Sequence, residues 1–357
     1  MPRYRADDVQ RFIGEILRRE GVPEESIEII AGHLVRANLA GMDSHGILRM
    51  PQYIEQMRSG TYNGQFFYVI DPKGEFEIAV DNGPVVSVNG NLNFGQVTAW
   101  KAVHLAMERA REHGIASVSC HNTAHIGRLG DYTALVAEND MVAVIFTSIG
   151  RIVAPFGGYE RKLGTNPLSA GIPTGGEFPF VLDYATCSKA EGKIRDKHLG
   201  GHEIPVGTIV DKEGRDTTKP GDLYEGGAIL PFGGNLGHKG FGLGLMIELL
   251  GAMLTGTGFP GYPGYQYATS GAVMTVYDIS RFTDLDTFKA GVDQIIGDVK
   301  SSKLREGFEE ILIPGELEFR NMKKNAEQGI EISQGVLDKL EPLAASLDMR
   351  IGDYLKV

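Results

Sequence analysis

Ser44, His45 and Gly46 form a short polar turn, with Arg49 four and Tyr53 eight residues beyond the histidine. Those types suit the oxidation of a 2-hydroxy acid. A histidine near neutral pH can take the hydroxyl proton while hydride leaves the carbon. An arginine offers the planar fork that matches a carboxylate. The spacing puts Arg49 and Tyr53 on one helix face with the turn. In the plainer reading, Ser44 caps a short helix and His45 is a solvated turn residue.

Four further constellations could carry chemistry. His121-Asn122-Thr123-Ala124-His125 has metal-like i, i+4 spacing, but no third ligand stands at convincing spacing. A loop at a strand end, with polar contacts to cofactor or substrate, fits its Asn and Thr better. Leu163-Gly164-Thr165-Asn166-Pro167 offers exposed amides and short donors for close approach to a ligand, or an ordinary turn. Leu182-Asp183-Tyr184-Ala185-Thr186 places a carboxylate at the end of an apolar strand. Asp183 must be paired or do work there. It could orient His45, or cap the segment that follows. Gly237-His238-Lys239-Gly240 opens an apolar helix; a lysine and free amides at a helix start make an anion site, unless this is a plain surface loop.

These residues need elements to hold them. Val9, Phe12, Ile13, Ile16 and Leu17 recur at helical spacing, with Asp7 or Asp8 as cap. Further helices are expected from Pro23 to about Gly41, over Leu48–Arg58, Gln96–His113, His238–Leu254, Leu285–Lys300 and Ser333–Leu347. Strands are expected over 76–80 and 85–88 as a hairpin, and over 115–119, 141–147, 178–183 and 272–277. Gly201–Gly227 reads as loop. Strands and helices do not alternate regularly, and no strand–Gly-x-Gly-x-x-Gly–helix unit exists. A doubly wound sheet and a standard dinucleotide fingerprint are therefore not expected. The class is α+β, with more than one unit in 357 residues.

Composition narrows the partners. The chain carries 35 basic and 46 acidic residues, net −11, with no long basic run; this argues against nucleic acid, which needs a clustered positive surface. Two cysteines, Cys120 and Cys187, are too few for a disulfide scaffold. The N-terminus lacks the apolar run of a signal peptide. The longest apolar stretch, 241–254, is interrupted by Glu248 and shorter than the roughly 20 residues a membrane span needs. A cytoplasmic protein without a membrane partner is expected.

Taken in order, these segments resemble the malate/L-lactate dehydrogenase family of the sulfolactate-dehydrogenase type, with its hydroxycarboxylate dehydrogenase branch as the best fit. The carrying stretches are Ala37–Gly41 through Gly46, Phe94–Val97, His125–Arg128, Leu163–Pro167, Leu182–Thr186, Gly192-Lys193, His238–Gly240 and Pro314–Glu316. The resemblance spans nearly the whole chain. It implies a non-Rossmann nicotinamide-binding fold, a helical domain built from both chain termini, and a homodimer with sites near the interface. The domains implied are 1–75 plus 315–357 (helical), 76–125 plus 295–314 (substrate and dimer) and 126–294 (NAD(P)-binding). His45 is implied as proton donor or acceptor with Asp183 its partner, and His125 as the alternative base. Arg49 is implied as the carboxylate anchor, with Ser44, Tyr53 and Arg128 beside the substrate. Cofactor contacts are implied at His121, Gly164, Thr165, Asn166, Leu182, Asp183, Tyr184, Ala185, Thr186, Ser188, His238, Lys239, Gly240 and Gly315. The cofactor is NAD or NADP, NAD favoured, and no metal is expected. The substrate is a small 2-hydroxy or 2-oxo acid of malate, lactate, 2-oxoglutarate or aryl-pyruvate type. A dicarboxylate would want a second cation, Arg128 or Arg151. Cys187, Thr208, Asp216 and Lys219 depart from the family pattern. The rival is a metal-assisted hydrolase or lyase using His121 and His125.

Overall fold

The computed structural model describes residues 2–62, 65–66, 68–260, 262–263, 265 and 269–356. Its first helices are α1 (Ala6–Arg19), α2 (Glu24–Leu39) and α3 (Met50–Ser59). Helix α1 buries Val9, Phe12, Ile13, Ile16 and Leu17, the stripe its spacing implies. Its cap differs from expectation. Arg5 holds that position, and Asp7 and Asp8 lie inside the first turn, where carboxylates complement the helix dipole.

One apolar core joins Phe12, Ile16, Leu34 and Tyr53 to Ile330, Leu340 and Met349 from the other end of the chain. A short antiparallel pairing, Arg3–Tyr4 with Ile330–Glu331, ties the two ends directly.

The centre is a seven-stranded sheet. Its strands are β1 (Glu77–Asn82), β2 (Val85–Asn89), β3 (Ile115–Thr123), β4 (Met141–Ser148), β5 (Leu168–Ile172), β6 (Phe180–Tyr184) and β7 (Ser270–Asp278). They lie in the order β1-β2-β3-β7-β4-β5-β6. Only β2 and β3 run parallel, connected by helix α4 (Gly95–His113). Helices α4 and α5 (Leu129–Glu138) cover one face, packing Val103, Ala106, Tyr132 and Val136 on Val88, Val118, Ile145 and Met274. The division expected at residues 125/126 falls inside this sheet and core, because β7 pairs with β3 on one side and β4 on the other.

Residues 150–245 build a third, smaller core around Val153, Ile194, Ile209, Leu223 and Ile229. It includes α6 (Glu191–Leu199) and α7 (Gly237–Leu249), which continues as a π-helical turn to Leu254. The expected 201–227 loop contains two short strands, Ile209–Val210 and Asp216–Thr217, which form a three-stranded patch with Ala228–Ile229. Helices α8 (Leu285–Lys300), α9 (Glu316–Gln328), α10 (Gln334–Ala345) and the short α11 (Ile351–Tyr354) follow. Among the described residues no helix is long and apolar enough to cross a membrane.

Candidate functional site

The Ser44-His45 turn is shaped by a side chain. Asn38, in the last turn of α2, is buried. Its Nδ2 donates to Asp43 Oδ1 at 2.7 Å, and its Oδ1 accepts the Ile47 N–H at 2.8 Å. The chain must pass close over it, which is why position 46 is glycine. A Cβ there would sit 2.1 Å from Asn38 Oδ1. Gly192, at the start of α6, closes on the turn from the other side; its Cβ would lie 2.7 Å from that of Ser44.

The turn is two successive 3-10 turns, Asp43–His45 and Ile47–Arg49. Arg49 therefore folds back: its Nε donates to the Ser44 carbonyl at 2.6 Å and its Nη1 to Gln52 Oε1 at 2.8 Å. The helix face expected to join Arg49 and Tyr53 to the turn is replaced by this back-folding. Tyr53 lies beyond it on α3 and reaches the site through His125 instead.

His45 and His125, far apart in sequence, stack with ring centroids 5.6 Å apart and 23° between planes. His45 Nδ1 meets Ser44 Oγ at 3.0 Å. Tyr53 OH meets His125 Nδ1 at 2.8 Å and accepts from Gln96 Nε2 at 2.8 Å. With Gln96 donating, Tyr53 gives its own proton to His125 Nδ1, so the neutral ring carries its hydrogen on Nε2. Burial, then the nearby Arg49 guanidinium, pushes His45 down to about 3 and His125 well below the usual histidine range. Both imidazoles are neutral at pH 7. Burial also pushes the Tyr53 phenol up to about 12, so it stays protonated.

Arg128 and Asp183 form a second, almost buried pair, Nε to Oδ2 at 3.6 Å. Asp183 Oδ2 also accepts the Gly130 N–H at 2.8 Å, at the first turn of α5. This corrects the expected partnership. Asp183 is held by Arg128 and by a helix N-terminus, whose free amides favour a carboxylate, whereas the imidazole of His45 is bonded to Ser44. The cap reading of Asp183 fails likewise, since the helix it serves is α5 and not the segment after it. Burial pushes the Asp183 carboxyl up to about 6, against the opposing pull of Arg128.

The segments expected at the cofactor converge beside β6. Thr186 N donates to Thr165 O at 3.0 Å and Thr186 Oγ1 to Asn166 O at 3.0 Å. Asn166 Nδ2 donates to Gly244 O and Glu248 Oε2 on α7, at 2.9 and 2.8 Å. Phe232 N donates to Thr186 O at 3.2 Å, and the Phe232 ring stands edge-on to Tyr184. Ser188 Oγ donates to Thr208 O at 2.7 Å. Helix α7 comes this close only because it presents glycine. A Cβ at Gly240 would lie 2.3 Å from Phe232 O, and one at Gly244 would lie 2.8 Å from Thr186 Oγ1. Gly315, with φ of +91°, turns the chain against β6, where Val181 N donates to Pro314 O at 3.1 Å.

Thus Gly164, Thr165, Asn166, Tyr184, Thr186, Ser188 and α7 come together past the end of β6, while Gly315 packs at its start against Val181. His238 and Lys239 are exposed on the first turn of α7, with His238 against Phe156. His121 does not join them. It pairs in register with Asn89 of β2, and the charge facing it is Glu77.

A nicotinamide cofactor can be tested against these residues. Asn166 is fully buried, yet its Oδ1 has no partner. Beside it, Gly164 is packed tightly, since a Cβ there would stand 2.5 Å from both Asn166 Oδ1 and Ile149 O. A buried acceptor without a donor costs about 1–3 kcal/mol, and a ligand N–H at Asn166 Oδ1 would relieve it. The primary carboxamide of nicotinamide carries such a donor. By contrast, no group of three or more His, Cys, Asp or Glu among the described residues is placed to hold a metal ion.

Four residues given no role from the sequence stand behind the groups of the site: His33, Asn38, Gln96 and Asp131. All four are buried polar groups. The available signal was a polar side chain among apolar neighbours on one helix face, as at His33 and Asn38 beside Ile30, Leu34 and Ala37.

The model of the malate/L-lactate dehydrogenase family matches residues 4–341. The L-sulfolactate dehydrogenase of Methanothermobacter thermautotrophicus is 37% identical over 358 residues, covering 98% of both chains. Hydroxycarboxylate dehydrogenase B of Escherichia coli O157:H7 is 34% identical, covering 93% of this chain and 91% of its own. In structure, the sulfolactate dehydrogenase of Methanocaldococcus jannaschii superposes with a TM-score of 0.85 at 36% identity, covering 99% of each chain. These likenesses set aside the hydrolase rival and agree with the mixed, non-Rossmann architecture. The chain belongs to the malate/L-lactate dehydrogenase family and is an oxidoreductase of 2-hydroxy acids.

Proposed function

We propose that this protein is an NAD(P)-dependent 2-hydroxy acid dehydrogenase working reversibly as a 2-oxo acid reductase, with NAD the favoured cofactor. The observation that carries the reading is the convergence of two stacked neutral histidines beside Arg49. When bound, the nicotinamide accepts or supplies hydride at the 2-carbon of the substrate. Asn166 Oδ1 would accept from its carboxamide, and the 182–188 segment and α7 line its course.

Arg49 pairs with the substrate carboxylate through the rest of its fork, and Ser44 and Tyr53 border the acid. His45 takes the hydroxyl proton in oxidation and returns it in reduction. His125, its Nε2–H free of Tyr53, is the alternative acid. A carboxylate docked on Arg49 offsets the cation that depresses both imidazoles, so substrate binding raises their proton affinity when a proton must move. Asp183 acts on Arg128, not on His45.

Arg128 or Arg151 would meet a second anionic group. The relatives named for malate and sulfolactate make a diacid or sulfonate the first substrates to try. A second copy would cover the apolar side chains that stand exposed along 249–312, among them Leu249, Leu254, Ile295 and Phe308. A homodimer is proposed on that basis, and a cytoplasmic location on the sparse cysteine content, two in 357 residues.

A panel of 2-oxo acids with NADH and NADPH, followed by the absorbance of the reduced nicotinamide, tests the activity. His45→Ala should lower turnover by roughly 10²-fold or more while cofactor binding, read by fluorescence titration, stays near the parent value. Unchanged turnover would remove His45 from the role and leave it to His125.

A further inference from the structure

His33 lies on α2, away from every motif discussed above, and is 1% exposed. Its Nε2 accepts the backbone N–H of Arg128 at 2.9 Å. Its Nδ1 lies 2.9 Å from Asp131 Oδ2, and Asp131 is gripped by Arg36 through two bonds of 2.7 and 2.8 Å. With Nε2 accepting from Arg128, the neutral ring carries its hydrogen on Nδ1, the nitrogen beside the Asp131 carboxylate. The imidazole also stacks on Tyr132, centroids 5.2 Å apart, and the Tyr132 hydroxyl donates to Ile126 O at 2.6 Å. The loop 126–128 is thus held at two backbone atoms by two stacked rings. It passes so near His33 that position 127 can carry no side chain. Gly127 has φ of +79°, and a Cβ there would lie 2.1 Å from His33 Nε2.

We propose that His33 is a positioning residue for the reaction. Held by Asp131 and Arg36, it fixes the backbone at Arg128, and so the placing of the Arg128 guanidinium against Asp183 and the substrate. This rests on the reading of Arg128 as a substrate contact. The logic is that of an outer partner orienting a working group. An isolated loop would let the guanidinium wander, and a displacement of about 1 Å at a binding group costs up to about 100-fold in rate.

Two conservative substitutions separate this role from packing. His33→Asn keeps an amide N–H near Asp131 but is too short to reach the Arg128 N–H. His33→Gln places an amide oxygen where Nε2 stood. Steady-state kinetics should give His33→Asn a KM for the 2-oxo acid raised about 10- to 100-fold, with cofactor affinity unchanged, and His33→Gln a KM near the parent value. In a double-mutant cycle, His33→Asn combined with Arg128→Lys should be no worse than Arg128→Lys alone, since one acts through the other. The proposal is overturned if His33→Asn leaves KM unchanged, if His33→Gln fails to restore it, or if the two losses multiply. If Arg128→Lys itself leaves KM unaltered for every acid turned over, the substrate role of Arg128 fails, which is a different result from failure at His33 alone.

Discussion

The two sides of the site are built by different physics. On the α2 side, side chains do the placing. Asn38 shapes the His45 turn, Tyr53 and Gln96 hold His125, and His33 holds the loop at Arg128. On the α7 side, close glycine contacts join the side-chain bonds of Asn166, Thr186 and Ser188. Gly240 and Gly244 let a helix lie against Phe232 and Thr186, and Gly271 meets Gly251 so closely that a Cβ would stand 1.9 Å from the Gly251 carbonyl. A polar network fixes the orientation of groups that must exchange protons. A glycine contact fixes only distance, which is what a flat ligand lying along a backbone requires. Both sides should therefore resist added carbon, at Gly46 and Gly127 as at Gly240 and Gly244, while the first should lose more when a polar atom is removed.

The largest effect is expected from Gly240→Val. Its new carbons meet the Phe232 backbone, which cannot yield as a side chain end can, so the loss should reach about 3 kcal/mol or more. Denaturant unfolding and cofactor titration would both register it. Tolerance of valine would show that α7 is not seated as described.

Asn38→Ala comes next. It strands the Ile47 N–H and the Asp43 carboxyl, at about 2 kcal/mol, and loosens the His45 turn, so turnover should fall about tenfold with cofactor affinity kept. If cofactor affinity falls instead, the division between the two sides is wrong. Tyr53→Phe is smaller, about 1 kcal/mol. It frees His125 Nδ1 and orphans the Gln96 amide, and should change turnover more than stability.

The smallest effect is a slope with pH. His45 and His125 are depressed, so their contribution to stability is present above the ordinary value of 6.5 and is lost as pH falls toward about 3 for His45. Asp183 is raised, so its contribution is present below 3.8 and is lost as pH rises through about 6. Between those values the carboxyl partly offsets the imidazoles. Thermal melts of Asp183→Asn should therefore fall more steeply between pH 7 and about 5 than those of the parent. Equal slopes would mean that Asp183 titrates as an ordinary carboxylate.

Much of the frame was legible from spacing. Helix α8 runs over Leu285–Lys300 as its pattern implies, and α4 stops at Gly114. Strands β4 and β7 extend their expected ranges by only one to three residues. Helices α5, α6 and α9 were not legible, for two opposite reasons. Helix α5 buries most of its circumference, including Asp131 and Thr133, so it has no polar face to set a period. Helices α6 and α9 are largely polar, with few apolar positions to mark one.

Residue types and order determined the chemistry on offer: an imidazole, a guanidinium, glycine-lined turns and a carboxylate at a strand end. Those are local facts, written in one stretch of chain at a time. Which group touches which was decided by the fold, since Asp183 meets Gly130 across 53 residues, Tyr53 meets His125 across 72, and His33 meets Arg128 across 95. Hydrogen bonds act over about 3 Å, and no periodicity along the chain encodes contacts that packing alone brings within that reach.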